Sequence, residues 1–115
     1  MVAEVDVYLA CPVVIADHYH KVYSYRFEPR TLKPAEEVFD LLNSVAYREG
    51  MDPHEHDVIM PDHPLFPVIA EYRNEGWRSL SMMDIVGIKV EGGGMHFLRF
   101  TAVGTEQIHS FGYIE

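Results

Sequence analysis

Two segments near the start of the chain alternate between apolar and other residues, which is typical of strands with one buried face. The first segment runs from Val2 to Ala10 and the second from Lys21 to Glu28. One face of the second segment consists of Tyr23, Tyr25 and Phe27. We therefore predict two strands here, and we expect the aromatic face of the second strand to lie in the core.

The middle of the chain changes to helical periodicity. Between residues 35 and 46, apolar residues recur three or four positions apart and charged residues occupy the opposite face. We predict a helix with Pro34 in its first turn and its end at Gly50, because proline fits the start of a helix and glycine fits its end. A second helix is predicted from an N-cap at Asp62 to Gly76. Its apolar stripe consists of Leu65, Val68, Ile69 and Tyr72.

Strand patterns return in the last third of the chain. We predict strands over residues 84–90, 95–103 and 107–114, with residues 91–94 as the loop of a hairpin. Because strands and helices do not alternate, we predict an α+β fold with an antiparallel or mixed sheet of about five or six strands and two helices packed on one face. The sequence shows no repeat or linker, so we expect residues 1–115 to form a single domain.

Composition restricts the classes of function. The chain has 115 residues, of which 18 are acidic and 9 basic, and its net charge is −9 with histidine neutral. This balance disfavours direct binding to nucleic acid, because the phosphates would be repelled. The single cysteine, Cys11, excludes an intramolecular disulfide. No apolar run approaches the roughly 20 residues of a membrane-spanning helix, and the first residues do not resemble a secretory signal, so we expect a cytoplasmic protein without membrane contact.

The negative charge is concentrated in one part of the sequence. Residues 34–63 hold eight acidic residues against one basic residue, Arg48, which gives this segment a net charge of −7. Such a surface can attract a basic partner, although a solvated helix face and loop would show the same pattern. The predicted partner contacts are Glu36, Glu37, Asp40, Glu49, Asp52, Glu55 and Asp57.

Histidines suggest a second kind of site. Four of the seven histidines form two His-x-His pairs, His18/His20 and His54/His56, and in an extended segment residues i and i+2 point the same way. The candidate metal ligands are His54, His56, Asp57 and His63. Imidazole ligands favour zinc over magnesium. The spacing is not diagnostic of a metal site, so surface histidines in an acidic loop explain the same residues.

One short element resembles a known group of proteins. Residues 78–86 read Arg-Ser-Leu-Ser-Met-Met-Asp-Ile-Val, which is similar to the Arg-Ser-Leu-Ser-Val-Gly-Asp-Val-Val element of a poorly characterised group of small phage and mobile-element proteins. The similarity also includes Tyr25, Phe27, Pro34, Val38, Phe39, Asn43, Tyr72, Arg73 and Phe111 to Tyr113. The resemblance implies an origin on a phage or other mobile element, but it implies no reaction.

The chain departs from this element at one position. Met83 replaces the usual glycine. If the backbone has a positive φ there, a methionine costs about 1–2 kcal/mol relative to glycine, because its Cβ crowds the backbone. Either the turn is then rebuilt in this chain or the alignment with the element is shifted. Ser81 and Asp84 can bond backbone groups around the same turn. We therefore predict a structural role for this element and no catalytic residues.

These observations favour a non-enzymatic accessory protein of a phage or mobile element. Its carboxylates would imitate the charge of duplex DNA, roughly one per 1.7 Å of axis, and bind a basic surface of a host protein, such as a nuclease or defence factor, in the host cytoplasm. We expect no cofactor, and a homo-oligomer is an open alternative. One competing hypothesis is a zinc-binding domain or metal-dependent hydrolase. Another is a sheet-based nucleic-acid-binding module whose Tyr23, Tyr25 and Phe27 stack on bases.

Overall fold

The structure is a computed structural model that describes residues 1–10, 18–55 and 57–114. Its strands and helices are β1 (Ala3–Ala10), β2 (His18–Phe27), α1 (Pro34–Leu42), β3 (Val45–Ala46), β4 (Val58–Ile59), α2 (Phe66–Asn74), β5 (Ile85–Val90), β6 (Met95–Thr101), β7 (Gly104–Ile108) and β8 (Gly112–Ile114). Cys11 lies outside the described residues. Neither helix in the described part of the chain is long and apolar enough to cross a membrane.

Six strands form one mixed sheet in the order β7-β6-β5-β1-β2-β8. Neighbouring strands are antiparallel except β2 and β8, which are parallel. A separate parallel pair, β3 and β4, was not predicted. The predicted α+β fold and the mixed sheet of about six strands are confirmed.

The chain divides into two compact units. The sheet unit comprises Met1–Ala35 and Ser81–Glu115, and the helical unit comprises Glu36–Leu80. The expectation of a single domain stays a prediction.

The core of the sheet unit lies on one face of its central strands. Val5 is fully buried and lies between Tyr25 of β2 and Ile88 of β5. The predicted aromatic core face is confirmed, because Tyr23, Tyr25 and Phe27 are all buried. Alternation in β1 and β2 therefore determines which side chains enter the core.

A second, smaller apolar cluster lies at one end of the sheet. Its buried members are Tyr8, Tyr19 and Ile85, against which Phe97 and Phe111 pack. The ring centroids of Tyr8 and Phe111 are 4.9 Å apart in an edge-to-face arrangement, a favourable geometry for aromatic pairs. This cluster follows a shift in the pairing of β1 and β2 just before Tyr8.

The first helix ends earlier than predicted. The prediction placed its end at Gly50, whereas α1 ends at Leu42. Beyond this point the chain forms tertiary hydrogen bonds instead: Asn43 Oδ1 accepts from the N–H of Leu80 at 2.6 Å, and the N–H of Val45 donates to the carbonyl of Asp57 at 2.8 Å. Helical periodicity over residues 43–46 is therefore overridden by partners distant in sequence.

The second helix starts later than predicted. Asp62 is not its N-cap, because α2 begins at Phe66 and its N-terminal boundary has no side-chain cap. A turn before it uses His63, whose Nδ1 accepts from the N–H of Leu65 at 2.9 Å. The predicted end is confirmed by Gly76, which follows the helix with φ of 87°.

The last predicted strand is also divided. Residues 107–114 were predicted to form one strand, whereas β7 ends at Ile108 and β8 starts at Gly112. β8 then pairs with β2 at the other edge of the sheet. The strand pattern alone could not show that the chain changes edges between these residues.

Candidate functional site

Three of the predicted contact residues lie on α1. Glu36 and Asp40 are exposed and one helical turn apart, and Glu37 is half-buried. The opposite face contributes Val38 and Leu42, both fully buried. Amphipathicity thus directs these carboxylates to the surface. Glu36 and Glu37 lie in the first turn, where the helix dipole stabilises negative charge.

The other four contacts lie on the loop that joins β3 to β4. Glu49, Asp52, Glu55 and Asp57 are all exposed. Turns within the loop constrain it: the N–H of Glu55 donates to the carbonyl of Asp52 at 3.2 Å, and the N–H of His54 donates to Asp52 Oδ1 at 2.8 Å. The loop therefore presents its carboxylates from a hydrogen-bonded backbone.

The structure brings the end of the acidic helix next to the end of the acidic loop. The hydroxyl of Ser44 donates to the carbonyl of Asp40 at 2.7 Å. The next residue, Val45, donates its N–H to the carbonyl of Asp57 at 2.8 Å. Asp40 and Asp57 are 17 positions apart in sequence, yet their backbone carbonyls accept hydrogen bonds from the consecutive residues Ser44 and Val45. We call the seven residues Glu36, Glu37, Asp40, Glu49, Asp52, Glu55 and Asp57 the acidic surface.

The two units differ strongly in charge. The helical unit has ten acidic and three basic residues and a net charge of −7, whereas the sheet unit has eight acidic and six basic residues and a net charge of −2. Six of the seven residues of the acidic surface are exposed. A basic partner would therefore be attracted to the helical unit far more strongly than to the sheet unit.

The half-buried guanidinium of Arg73 joins several segments of the helical unit. Nη2 of Arg73 donates to the carbonyls of Leu42 and Ser44, both at 2.9 Å, and to the hydroxyl of Ser79 at 2.7 Å. Its Nη1 donates to the carbonyl of Trp77 at 3.3 Å. Arg73 thus satisfies carbonyls at and just beyond the end of α1, which have no partner within the helix. Sequence reasoning missed this role.

The element at residues 78–86 has a structural role, as predicted. Asp84 is fully buried. Its Oδ1 accepts from the N–H of Ala10 and its Oδ2 from the N–H of Ser81, both at 2.8 Å. Met83 has φ of 81°, so the conformation that favours glycine is occupied by methionine. Tyr19 stabilises this turn by donating its hydroxyl to the carbonyl of Met83 at 2.7 Å.

The metal ligands are not brought together in the described part of the chain. His54 and Asp57 are exposed, His63 is half-buried, and His56 lies outside the described residues. Among the described residues, no group of three or more His, Cys, Asp or Glu side chains could hold a metal ion. A zinc site that uses His56 stays a prediction.

The aromatic residues proposed for base stacking are not accessible. Tyr23 and Tyr25 are each 9% exposed and Phe27 is 7% exposed. Stacking on a base requires an open ring face, so these three rings do not offer a nucleic acid platform.

Comparisons with protein-family models, curated proteins and solved structures find no match to this chain. The resemblance to phage and mobile-element proteins stays a prediction. Several of its residues nevertheless share a structural role in the helical unit, where Asn43, Arg73 and Ser79 each form a hydrogen bond described above.

Proposed function

We propose that this chain is a non-enzymatic accessory protein of a phage or other mobile element, and that it binds a basic surface of a host protein through the acidic surface. The partner is a protein that normally holds nucleic acid, such as a nuclease or a defence factor. Occupation of its basic surface by carboxylates would block the nucleic acid and so inhibit it.

The observation that carries this proposal is the concentration of exposed carboxylates in one unit. The net charge of −7 in the helical unit produces a negative potential, which is focused where several carboxylates are close together. Ser44 donates its hydroxyl to the carbonyl of Asp40, and Val45 donates its N–H to the carbonyl of Asp57, so these two residues connect the end of α1 to the end of the acidic loop. Such a cluster increases the rate of encounter with a cationic surface and disfavours anionic competitors.

Arg73 supports the same proposal. Its described hydrogen bonds go to backbone carbonyls and to the hydroxyl of Ser79. Its guanidinium therefore holds the backbone of the helical unit together, while six of the seven residues of the acidic surface are exposed.

Charge reversal tests this function. The natural chain, carrying a tag without histidine, first captures a partner from host lysate at low salt. The triple variant Glu49→Lys, Asp52→Lys, Glu55→Lys is then compared with the natural chain for its affinity for that partner. We expect affinity to fall roughly tenfold or more, because electrostatic attraction changes association rates by about one to three orders of magnitude. The dependence of affinity on salt should also become flatter.

The matched control reverses three exposed carboxylates outside the acidic surface: Glu28, Glu71 and Glu91. This variant has the same net charge as the test variant, so any difference between the two reports on position. We expect it to retain most of the affinity. Equal losses in the two variants would show that total charge, and not the acidic surface, attracts the partner.

A further inference from the structure

The outer edge of β7, in the sheet unit, is an exposed strand edge. β7 is the last strand at one end of the sheet and pairs with β6 on one side. Within residues 1–10, 18–55 and 57–114, no strand pairs with its other side. Four of its five residues, Gly104 to Gln107, are exposed. Exposed edges of this kind can accept a further strand.

Hydrogen bonds of the neighbouring strand show which backbone groups of β7 face outward. The N–H of Phe100 donates to the carbonyl of Asp84 at 3.0 Å, and the carbonyl of Phe100 accepts from the N–H of Met83 at 2.8 Å. Both groups of Phe100 thus point away from β7. Phe100 lies opposite Thr105, so the backbone groups of Thr105 point to the free edge, and by alternation those of Gln107 do as well.

Between these two residues, the side chain of Glu106 carries a negative charge at the edge. Its Oε1 accepts from Nε of Arg99 at 2.8 Å, and the side chain is 51% exposed. Hydrogen bonds to Tyr19 and then to Glu106 raise the pKa of Arg99, so this cation stays charged. An added antiparallel strand would place one of its residues directly opposite Glu106, with close side chains.

The identity of that opposite residue distinguishes between occupants. A second copy of this chain paired symmetrically about Glu106 would place two carboxylates opposite each other, which is destabilising. A lysine or arginine would instead form a pair of opposite charges. The edge therefore favours a cationic partner strand over a second copy paired in this register.

Ile108 indicates which kind of side chain the added strand should carry at a second position. It lies two positions from Glu106, on the same face of the sheet, and it packs against the cluster of Tyr8, Tyr19 and Ile85. In an antiparallel strand, the residue opposite Ile108 is two positions before the residue opposite Glu106. An apolar side chain at that position would cover Ile108 and extend the cluster.

We propose that β7 binds an extended protein segment as an added antiparallel strand, and that this segment carries a cation opposite Glu106 and an apolar residue two positions before it. The outward backbone groups of Thr105 and Gln107 supply the hydrogen bonds. None of these residues belongs to the acidic surface, so either proposal can fail without the other.

The test uses the peptide acetyl-Ser-Val-Thr-Arg-Thr-Ser-amide with the full chain. We expect hydrogen exchange of the Thr105 and Gln107 amides to slow roughly tenfold or more at saturating peptide, because both gain hydrogen bonds. Gln107→Pro removes an outward N–H but no backbone hydrogen bond between β6 and β7, and proline is tolerated at sheet edges. This variant should not bind. Glu106→Gln should bind about two- to fivefold more weakly.

A matched peptide separates strand pairing from simple charge attraction. N-methylation of both threonines keeps the charge but removes the N–H groups that would donate to β7, so this peptide should not bind. It needs no protein variant and remains decisive if Gln107→Pro does not fold. Equal binding of the two peptides, or slowed exchange only within residues 36–57, would overturn the proposal. Concentration-dependent protection of Thr105 and Gln107 without peptide would identify a second copy as the occupant and overturn it as well.

Discussion

One charged side chain organises the backbone in each unit, and the two have opposite signs. In the sheet unit, the fully buried Asp84 accepts from the N–H groups of Ala10 and Ser81. In the helical unit, the half-buried Arg73 donates to the carbonyls of Leu42, Ser44 and Trp77. In both units, most of the described hydrogen bonds of this charged group go to the backbone, and they offset the cost of removing the charge from water.

The surface charges of the two units differ in another way. In the sheet unit, carboxylates have cross-strand partners: Arg26 Nη2 lies 2.8 Å from Glu4 Oε1, and Arg99 Nε lies 2.8 Å from Glu106 Oε1. Exposed pairs of this kind stabilise a fold by only about 0–1 kcal/mol. The sheet unit has a net charge of only −2, whereas the helical unit has a net charge of −7. The two units therefore differ more in charge balance than in acid content, since they hold eight and ten acidic residues.

The largest effect is expected at Asp84. Asp84→Ala should lower the free energy of unfolding by about 3–5 kcal/mol, because two charge-assisted hydrogen bonds are lost and their N–H donors lose their partner. Urea denaturation followed by circular dichroism measures this loss. Asp84→Asn keeps one acceptor oxygen and should lose less. A loss below about 1 kcal/mol for the alanine variant would show that Asp84 does not organise the sheet unit.

A smaller effect is expected at Arg73. Arg73→Ala should lower the free energy of unfolding by about 2–3 kcal/mol, because the carbonyls of Leu42 and Ser44 lose a charged donor. Arg73→Lys keeps the charge but not the planar set of donors, so it should restore only part of this stability. Full restoration by lysine would mean that charge alone, rather than the guanidinium geometry, holds the helical unit together. The same urea experiment provides the measurement.

The smallest effect is expected at Met83, and it has the opposite sign. Met83→Gly should raise the free energy of unfolding by about 0.5–1 kcal/mol, because glycine removes the strain at φ of 81° but increases the freedom of the unfolded chain. Met82 is the matched control, since it is also an exposed methionine but is not among the residues with positive φ. Met82→Gly should lower stability, and equal shifts in both variants would contradict strain at Met83.

Local patterns predicted much of the fold. Alternation identified β1, β2 and the buried rings of Tyr23, Tyr25 and Phe27, because the side-chain period of a strand depends only on the strand itself. Helical periodicity likewise placed the acidic residues of α1 on its outer face, and the acidic residues of the following loop are evident from the sequence itself. The sequence left the backbone conformation at Met83 open, and the structure gives this residue a φ of 81°.

The remaining features depended on partners distant in sequence. Arg73 and the carbonyl of Ser44 are separated by 29 positions, and Asn43 and Leu80 by 37. Nothing in the periodicity around Leu42 indicates these partners, so the helix was predicted too long. The hydrogen bond from the N–H of Val45 to the carbonyl of Asp57 likewise accompanies the pairing of β3 with β4.

Strand faces, amphipathic helices and the negative charge between residues 36 and 57 follow from the sequence alone, because each depends only on neighbouring residues. Tertiary hydrogen bonds set the end of α1, the connection between the helix end and the acidic loop, and the outward direction of backbone groups of β7. These features depend on hydrogen bonds between segments that meet only after folding, when a backbone group exchanges a local partner for a distant one.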